Sequence, residues 1–375
     1  MATKRRGRHE GTIKHRADGR WEAQITLPHN QRKSIYARTR KEAQEKLKAA
    51  IRDLDSGVDF AAGSMTVAAF LQQWLDAAVR PSVKPKTWEG YESIVRVRIA
   101  PRIGRRQIAK LSPLDVQGLY AALEVSGLTA RSVHHTHRCL HRALDQAVRW
   151  GMIPRNPCDG AVSPRAKKAE MRVLSQEQAI AFLDANRDQP AYALYTLAIT
   201  TGMRQGELLG LRWADIGLDR GRLEVRRSLQ RQKEAGLVFV EPKSARGRRP
   251  LVLGAIAVAA LRAHQDRQAF VRLAAGREWR GLDLVFCTGN GGPLDPGWVR
   301  ETFYAAVKRA GLAPIRFPDL RHTAATLALR QGVHPKVVSE MLGHASITLT
   351  LDTYSHLVPV LHEEAAAAMD RALGA

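Results

Sequence analysis

The sequence predicts a multidomain protein with a small β-sheet plus helix at the N-terminus, an all-α domain in the middle, and a mixed, mainly-α α+β domain at the C-terminus. Three observations predict it. The 375 residues exceed what a single core of roughly 100–200 residues organises. The hydrophobic period switches along the chain, from short alternating runs over residues 1–60, to helical spacing over 65–165, to a mixture of both over 170–375. Between these stretches residues 57–64 and 160–170 read as connectors, the second carrying Pro164 and the basic run Arg165-Ala-Lys-Lys. The content of 45% hydrophobic and 25% charged residues is that of folded globular protein and excludes wholesale disorder.

In the first stretch Thr12-Ile-Lys, Trp21-Glu-Ala-Gln-Ile-Thr-Leu and Ser34-Ile-Tyr make a β-meander, with Asp18-Gly19 as a hairpin turn and Pro28-His-Asn as the next break. Thr39 followed three residues later by Glu42 is a capping-box pattern that opens a helix to about Asp55. In the second stretch Val67, Phe70, Leu71, Trp74 and Leu75 recur at helical spacing until Pro81 and Pro85 end the element. A second helix is expected from Thr87, with breaks over residues 96–101 and at Gly104. Ser112-Pro113 and Thr129 open two more, the last running to Trp150 ahead of Pro154 and Pro157. That makes a domain of four or five helices. In the third stretch Ser175 with Glu177 and Gln178 opens a helix, and residues 192–211 are helical with an interruption near Thr201-Gly202. Residues 222–229 and 237–253 read as two strands, after which helices dominate.

The chain carries 59 Lys+Arg against 36 Asp+Glu, a formal charge of +23. Such an excess concentrates polyanions around the molecule and makes copies repel unless an anion neutralises them, so nucleic acid is the expected partner. The longest apolar run, residues 251–261, is 11 residues long, whereas a bilayer needs about 18–20. It reads as a buried helix or strand, and no membrane role is expected. Basic residues 1–8 precede no hydrophobic stretch and do not read as a secretory signal, which makes the cytoplasm the expected location. Three cysteines, Cys139, Cys158 and Cys287, include no C-x-x-C pair and point to reduced, buried thiols. His134, His135, His137, Cys139 and His141 crowd one helix, and His137 with His141 has metal-ligand spacing. No carboxylate or third ligand is evident there, and Arg131, Arg138 and Arg142 lie among them, so a nucleic-acid-facing helix is expected and a metal is not. Gly289-Asn-Gly-Gly292 lacks the Lys-Ser/Thr of a phosphate loop, and no cofactor is expected.

Three boxes carry chemistry. Thr201-Gly-Met-Arg-Gln-Gly-Glu-Leu-Leu-Gly-Leu-Arg-Trp-Ala-Asp215 sets Arg204 and Glu207 three apart on one helical face, so that Glu207 is placed to hold Arg204. Gly202 and Gly206 flank a buried-looking arginine, as where backbone approaches an anion; taken alone, the pair reads equally as a surface salt bridge. Phe317-Pro-Asp-Leu-Arg-His-Thr-Ala-Ala-Thr-Leu-Ala-Leu329 has an apolar face of Leu320, Ala324 and Leu327 with Arg321 beside it, and small Ala325 and Ala328 leave room for a guanidinium. Leu342-Gly-His-Ala-Ser-Ile-Thr-Leu-Thr-Leu-Asp-Thr-Tyr-Ser-His356 places His344 and Tyr354 ten apart across a turn.

In that order and separation the boxes resemble those of the tyrosine recombinases, the phage-integrase family, over most of residues 65–360. The resemblance implies a catalytic domain of the tyrosine recombinase type at 170–375, a helical SAM-like core-binding domain at 65–165, and an arm-type DNA-binding domain at 1–60. It implies a site-specific recombinase of a phage or mobile element, which cleaves and rejoins double-stranded DNA attachment sites through a 3′-phosphotyrosine, without cofactor. A homotetramer on DNA would carry this through a Holliday junction, open to an accessory DNA-bending or directionality factor.

The residues suit that chemistry. A phosphodiester attacked in line gains negative charge, and two planar, permanently charged forks, Arg204 and Arg321, answer it as a clamp. Tyr354 is the nucleophile; a phenol of ordinary pKa near 10 needs surrounding cations and a proton acceptor. The resemblance assigns Lys243, in Glu241-Pro-Lys-Ser-Ala-Arg-Gly-Arg-Arg-Pro250, as general acid for the leaving 5′-oxygen. By residues alone it is one cation beside Arg246, Arg248 and Arg249 in a basic turn between two strands, where the family keeps a hairpin lysine. The resemblance also assigns His344 a hydrogen bond to the scissile phosphate, although a lone histidine before a helix is otherwise structural. One position departs from the pattern. The family usually has histidine three residues before the second arginine, and here stands Pro318, whose ring neither gives nor takes a proton. His322 does not replace it, and slower chemistry is expected. The alternative is a sequence-specific DNA-binding protein with attenuated or lost recombination; a tyrosine-linked topoisomerase is disfavoured by the N-terminal unit. Residues 363–373, rich in Ala, read as a helix that docks on a neighbouring subunit.

Overall fold

The computed structural model describes residues 11–26, 32–55, 64–165, 171–242, 247–344, 346–354, 369–370 and 373–374. The chain divides into two compact units, Met1–Lys168 and Ala169–Ala375. The connector at 57–64 except Ser64, the end of the second connector, and most of the Ala-rich stretch at 363–373 lie outside the described residues.

The first unit contains two separate apolar cores. The smaller belongs to an antiparallel meander of β1 (Thr12–His15), β2 (Trp21–Thr26) and β3 (Arg32–Ala37), followed by α1 (Arg40–Asp55). Alternation along the strands turns Ala23, Ile25 and Ala37 to one side, where Ala43 and Leu47 of α1 cover them. Thr39 caps α1 by accepting from the Glu42 N–H at 3.2 Å, but the Glu42 carboxylate reaches the Arg38 N–H at 3.0 Å, one residue outside a regular capping box.

The larger core is helical: α2 (Val67–Trp74), α3 (Pro85–Ile94), α4 (Ala100–Ile103), α5 (Pro113–Val125) and α6 (Ala130–Arg149). Val67, Phe70, Leu71 and Trp74 are buried as their spacing predicts. Two expectations are corrected. Pro85 begins α3, two residues before Thr87, because the first helical position needs no N–H. Residues 96–101 are not a break, since α3 runs through a π turn, Val95–Ile99, straight into α4. The wider turn absorbs the donor that Pro101 lacks. The Val97 carbonyl, which a regular residue 101 would have served, lies 3.5 Å from Arg102 Nη1 instead. On α6 the histidines bond within the protein, and carboxylates do join them. His141 lies between Asp145 and Asp159 at 3.0 Å each, His137 Nδ1 is 2.6 Å from the Tyr120 hydroxyl, and His134 Nδ1 is 3.0 Å from Ser163 Oγ.

The second unit places α7 (Gln176–Ala185), α8 (Tyr192–Thr201) and α9 (Gln205–Leu209) before two small sheets, with α10 (Ala255–Ala275), α11 (Pro296–Arg309), α12 (Asp319–Arg330), α13 (Pro335–Leu342) and α14 (Ile347–Tyr354) after them. One sheet is β4 (Ile216–Gly217), β5 (Arg222–Val225) and β8 (Arg249–Val252); the other pairs β6 (Ser228–Gln232) with β7 (Gly236–Val240). α8 is buried nearly all round, against α10 and α12, and its Tyr195 joins Phe182, Phe303 and Phe317 in an aromatic cluster.

The two strands expected over residues 222–229 and 237–253 are four, β5 to β8, beside the short β4. Arg227 leaves the ladder between β5 and β6 to pair with the buried Asp215 carboxylate, and Pro242, which has no donor, follows β7. β7 and β8, the strands on either side of Lys243, therefore belong to different sheets and do not pair as a hairpin. The run at 251–261 is not one buried element either. β8 ends at Val252, Gly254 caps α10, and Val252 and Ile256 are exposed. Cys139 and Cys158 are buried as expected, while Cys287 is only half-buried. Among the described residues no helix is long and apolar enough to cross a membrane.

Candidate active site

α8 stops at Gly202, whose φ of +62° is left-handed. A Cβ there would lie 2.5 Å from Leu342 Cδ2 and 3.4 Å from Ala324 Cβ, so the first box touches the other two at this glycine. At Gly206 a Cβ would lie 2.5 Å from Ser228 Oγ and 2.7 Å from the Leu229 carbonyl. Both glycines serve close packing of the chain on itself.

Arg204 caps α9 and is 48% exposed at its side chain, not buried. Glu207 is the buried partner, 5% exposed. One of its oxygens accepts the Arg204 N–H at 3.0 Å and the other takes Arg204 Nη1 at 2.9 Å, so Glu207 holds both the backbone and the fork of Arg204. The first of these oxygens also takes Arg249 Nη2 at 2.9 Å. Burial pushes the Glu207 carboxyl up, but the hydrogen bond and charge of Arg249, with the N–H and charge of Arg204, outweigh it and hold the carboxyl below the usual range.

Arg249 was not singled out in the sequence, where it is one cation of a basic turn. It is 6% exposed, and besides Glu207 it donates Nε to the Met341 carbonyl at 2.7 Å and Nη1 to the Gly247 carbonyl at 3.2 Å. The signal was strand parity: in β8 Arg249 shares its face with Leu251, and both point inward while Pro250 and Val252 point out.

Arg321 lies in the first turn of α12. Its Nη1 donates to the Gly202 carbonyl at 2.8 Å and its Nη2 to the Leu342 carbonyl at 2.7 Å, which joins all three boxes through one guanidinium. Ala325 and Ala328 do not make its room. They pack with Leu329, Val338 and Leu342, and their small size admits α13. Pro318 precedes α12 on the exposed surface and lines a cleft of about 560 Å³ with Gln205, Arg231, Arg300 and Arg316.

α13 ends in a left-handed Gly343, φ +66°, with the Gly343 and His344 N–H groups returning to the Glu340 and Ser339 carbonyls at 3.0 Å each. His344 thus leaves the helix at a fixed angle. Its Nδ1 is 2.7 Å from the hydroxyl of fully buried Thr350 on α14, a second partner that the sequence did not flag. Burial, then the charges of Arg321, Arg204, His322 and Arg249, push the imidazole down to about 4, so it is neutral near pH 7. Three guanidiniums, those of Arg321, Arg204 and Arg249, thus act on His344. It also borders a cleft of about 530 Å³ with Arg249, Lys336 and Ser346. Tyr354 is the last residue of α14, which begins three residues after His344; its side chain and the whole of Lys243 lie outside the described residues.

Two guanidiniums are therefore fixed by carbonyls and a carboxylate beside a neutral imidazole, an arrangement suited to gripping an oxyanion without losing charge. Residues 172–359 match the phage integrase family, and residues 66–123 match the N-terminal SAM-like domain of phage integrases. The chain is 29% identical over 346 residues to a tyrosine recombinase XerC-like protein of Caldanaerobacter subterraneus subsp. tengcongensis, covering 88% of each. It is 30% identical over 346 residues to an integrase of Streptomyces ambofaciens, covering 89% of this chain and 87% of that one. Among solved structures, the Tn1549 transposon integrase in complex with transposon right end DNA superposes with a TM-score of 0.70 at 23% identity, over 83% of this chain and 100% of that one. A lambda integrase tetramer bound to a Holliday junction gives 0.59 at 20%, over 93% and 96%. The chain belongs to the phage integrase family, the tyrosine recombinases, enzymes that break and rejoin DNA strands at specific sites.

Proposed function

We propose that this protein is the integrase of a phage or mobile element, and that Arg204, Lys243, Arg321, His344 and Tyr354 carry its reaction. The Tyr354 phenol gives its proton to water, since Pro318 stands where the family has histidine, and its oxygen attacks the scissile phosphorus, forming a 3′-phosphotyrosine while the 5′-oxygen leaves with a proton from Lys243. The forks of Arg204 and Arg321 hold the non-bridging oxygens, and neutral His344 hydrogen-bonds one of them. The phosphotyrosine keeps the ester's energy, so a 5′-hydroxyl of the partner strand reseals it without cofactor. The observation that carries this reading is the single guanidinium of Arg321 bonded to both Gly202 and Leu342, which draws three separated boxes into one site.

Three domains fit the separate cores, an arm-type DNA-binding unit at 1–60, a core-binding domain at 65–165 and the catalytic domain at 170–375. The relatives solved on DNA and as a tetramer on a Holliday junction support double-stranded attachment sites as substrate and a homotetramer as the working assembly. An accessory bending or directionality factor, and cytoplasmic action on chromosomal or element DNA, complete the reading.

The test is covalent trapping on nicked duplexes drawn from the DNA flanking the protein's own gene. An adduct that survives a denaturing gel and vanishes in Tyr354→Phe is expected. Arg204→Gln and Arg321→Gln should each slow it by about 10²–10³, the cost of one lost preorganised donor. Pro318 favours one other reading, a DNA-binding protein without recombination; tight binding with no adduct from any duplex would establish it.

A further inference from the structure

We propose that Arg249 is a positioning residue for DNA cleavage, which ties Arg204 to the turn that presents His344; this rests on the function proposed above. The tie is a closed circuit. Arg204 bonds Glu207, Glu207 bonds Arg249, and Arg249 bonds the Met341 carbonyl. The next carbonyl, Leu342, takes Arg321, and Arg321 returns to Gly202, two residues before Arg204.

Met341 and Leu342 are in the last turn of α13; the Gly343 and His344 N–H groups take the Glu340 and Ser339 carbonyls there, which leaves those of Met341 and Leu342 to other donors. Two guanidiniums supply them, and the turn at Gly343 and His344 hangs from that pair. Arg321 lies in the site itself, whereas Arg249 is nearly buried and ends on Glu207 and two carbonyls. Its charge is matched by a carboxylate that would otherwise be buried with only half-exposed Arg204 for a partner. Without Arg249, Glu207 loses its buried cation, the Met341 carbonyl loses its donor, and the fork of Arg204 and the imidazole of His344 lose their common reference.

The test compares wild type, Arg249→Gln and Arg249→Lys in the full chain by two readouts. Hydrogen exchange over residues 338–346 should quicken by about tenfold or more in Arg249→Gln, as charge-assisted bonds are lost, while residues 255–275 of α10 exchange as in wild type. Single-turnover cleavage should fall by about 30-fold or more with DNA affinity kept within about threefold. Arg249→Lys, which keeps the charge opposite Glu207 but not the fork, should recover part of the rate. In a Glu207→Gln background the Arg249→Gln change should cost less than about threefold more, since both break one circuit. Unchanged exchange at 338–346, or cleavage loss matched by equal loss of DNA affinity, or additive losses, overturns the proposal. If Arg249→Gln does not fold, Arg249→Lys must show the same split between rate and affinity. If wild type itself forms no adduct, the functional reading fails, and exchange still decides whether Arg249 holds the turn.

Discussion

His344 shows how far a single side chain is set by its surroundings. An unfolded histidine takes its proton near pH 6.5, whereas the folded imidazole waits until about 4. As pH falls from about 6.5 towards 4 the unfolded chain binds the proton first, so the folded state loses stability over that window and no further below it. NMR titration of the free protein should place the His344 midpoint near 4, and Arg321→Gln should move it upward by removing the charge that, after burial, lowers it most; a midpoint at the ordinary value would show that the cations do not converge there. Pro318 is the opposite case, an exposed residue whose φ of −62° suits any amino acid. Pro318→His should leave stability within about 0.5 kcal/mol, as for a surface substitution. It should raise the cleavage rate by about tenfold or more, because an acid-base group is worth about 10²–10⁴ where one is lacking. An unchanged adduct yield would mean that the phenol's proton already has a route.

Elements are fixed to one another by contacts that leave no spare atom. At Gly206 a methyl group would press on the Leu229 backbone carbonyl, and β6 must then move. Gly206→Ala should therefore cost about 1–3 kcal/mol of stability, the range for overpacking, read as a lower melting temperature with the fold otherwise kept. The same scale explains what the sequence revealed. Capped amphipathic helices such as α2, α5 and α6 were legible because the signal is local, an N-cap hydroxyl and a repeat of buried positions. The π turn ahead of Pro101 was not, since a proline reads as a breaker unless a wider turn has removed the need for its N–H. Likewise the strand boundary at residues 226–227 depends on buried Asp215, distant in sequence. In the site, Arg204, Glu207 and Arg321 stood out from their boxes. Arg249 did not, because its meaning comes from Glu207 and Met341, 42 and 92 residues away.

Over the whole molecule the question is how a charge of +23 is used. Each phosphate neutralised on duplex DNA releases counterions, and the logarithm of affinity should fall linearly with the logarithm of salt, with a slope of about −0.9 per phosphate. The first 60 residues carry 15 Lys+Arg and 8 Asp+Glu, and the sheet and helix described within them have their own core of Ala23, Ile25, Ala37, Ala43 and Leu47. A core that shares no cluster with the helical one is what a separately acting DNA-binding unit requires. Deleting residues 1–64 should thus leave the salt slope on a duplex bearing one cleavage site unchanged, and should abolish capture of a second, unlinked duplex by the same protein. If the deletion instead lowers the slope on the first duplex by several units, the basic residues of the sheet contact the DNA that is cut, and the N-terminal unit extends the cleavage-site footprint rather than reaching for a separate one.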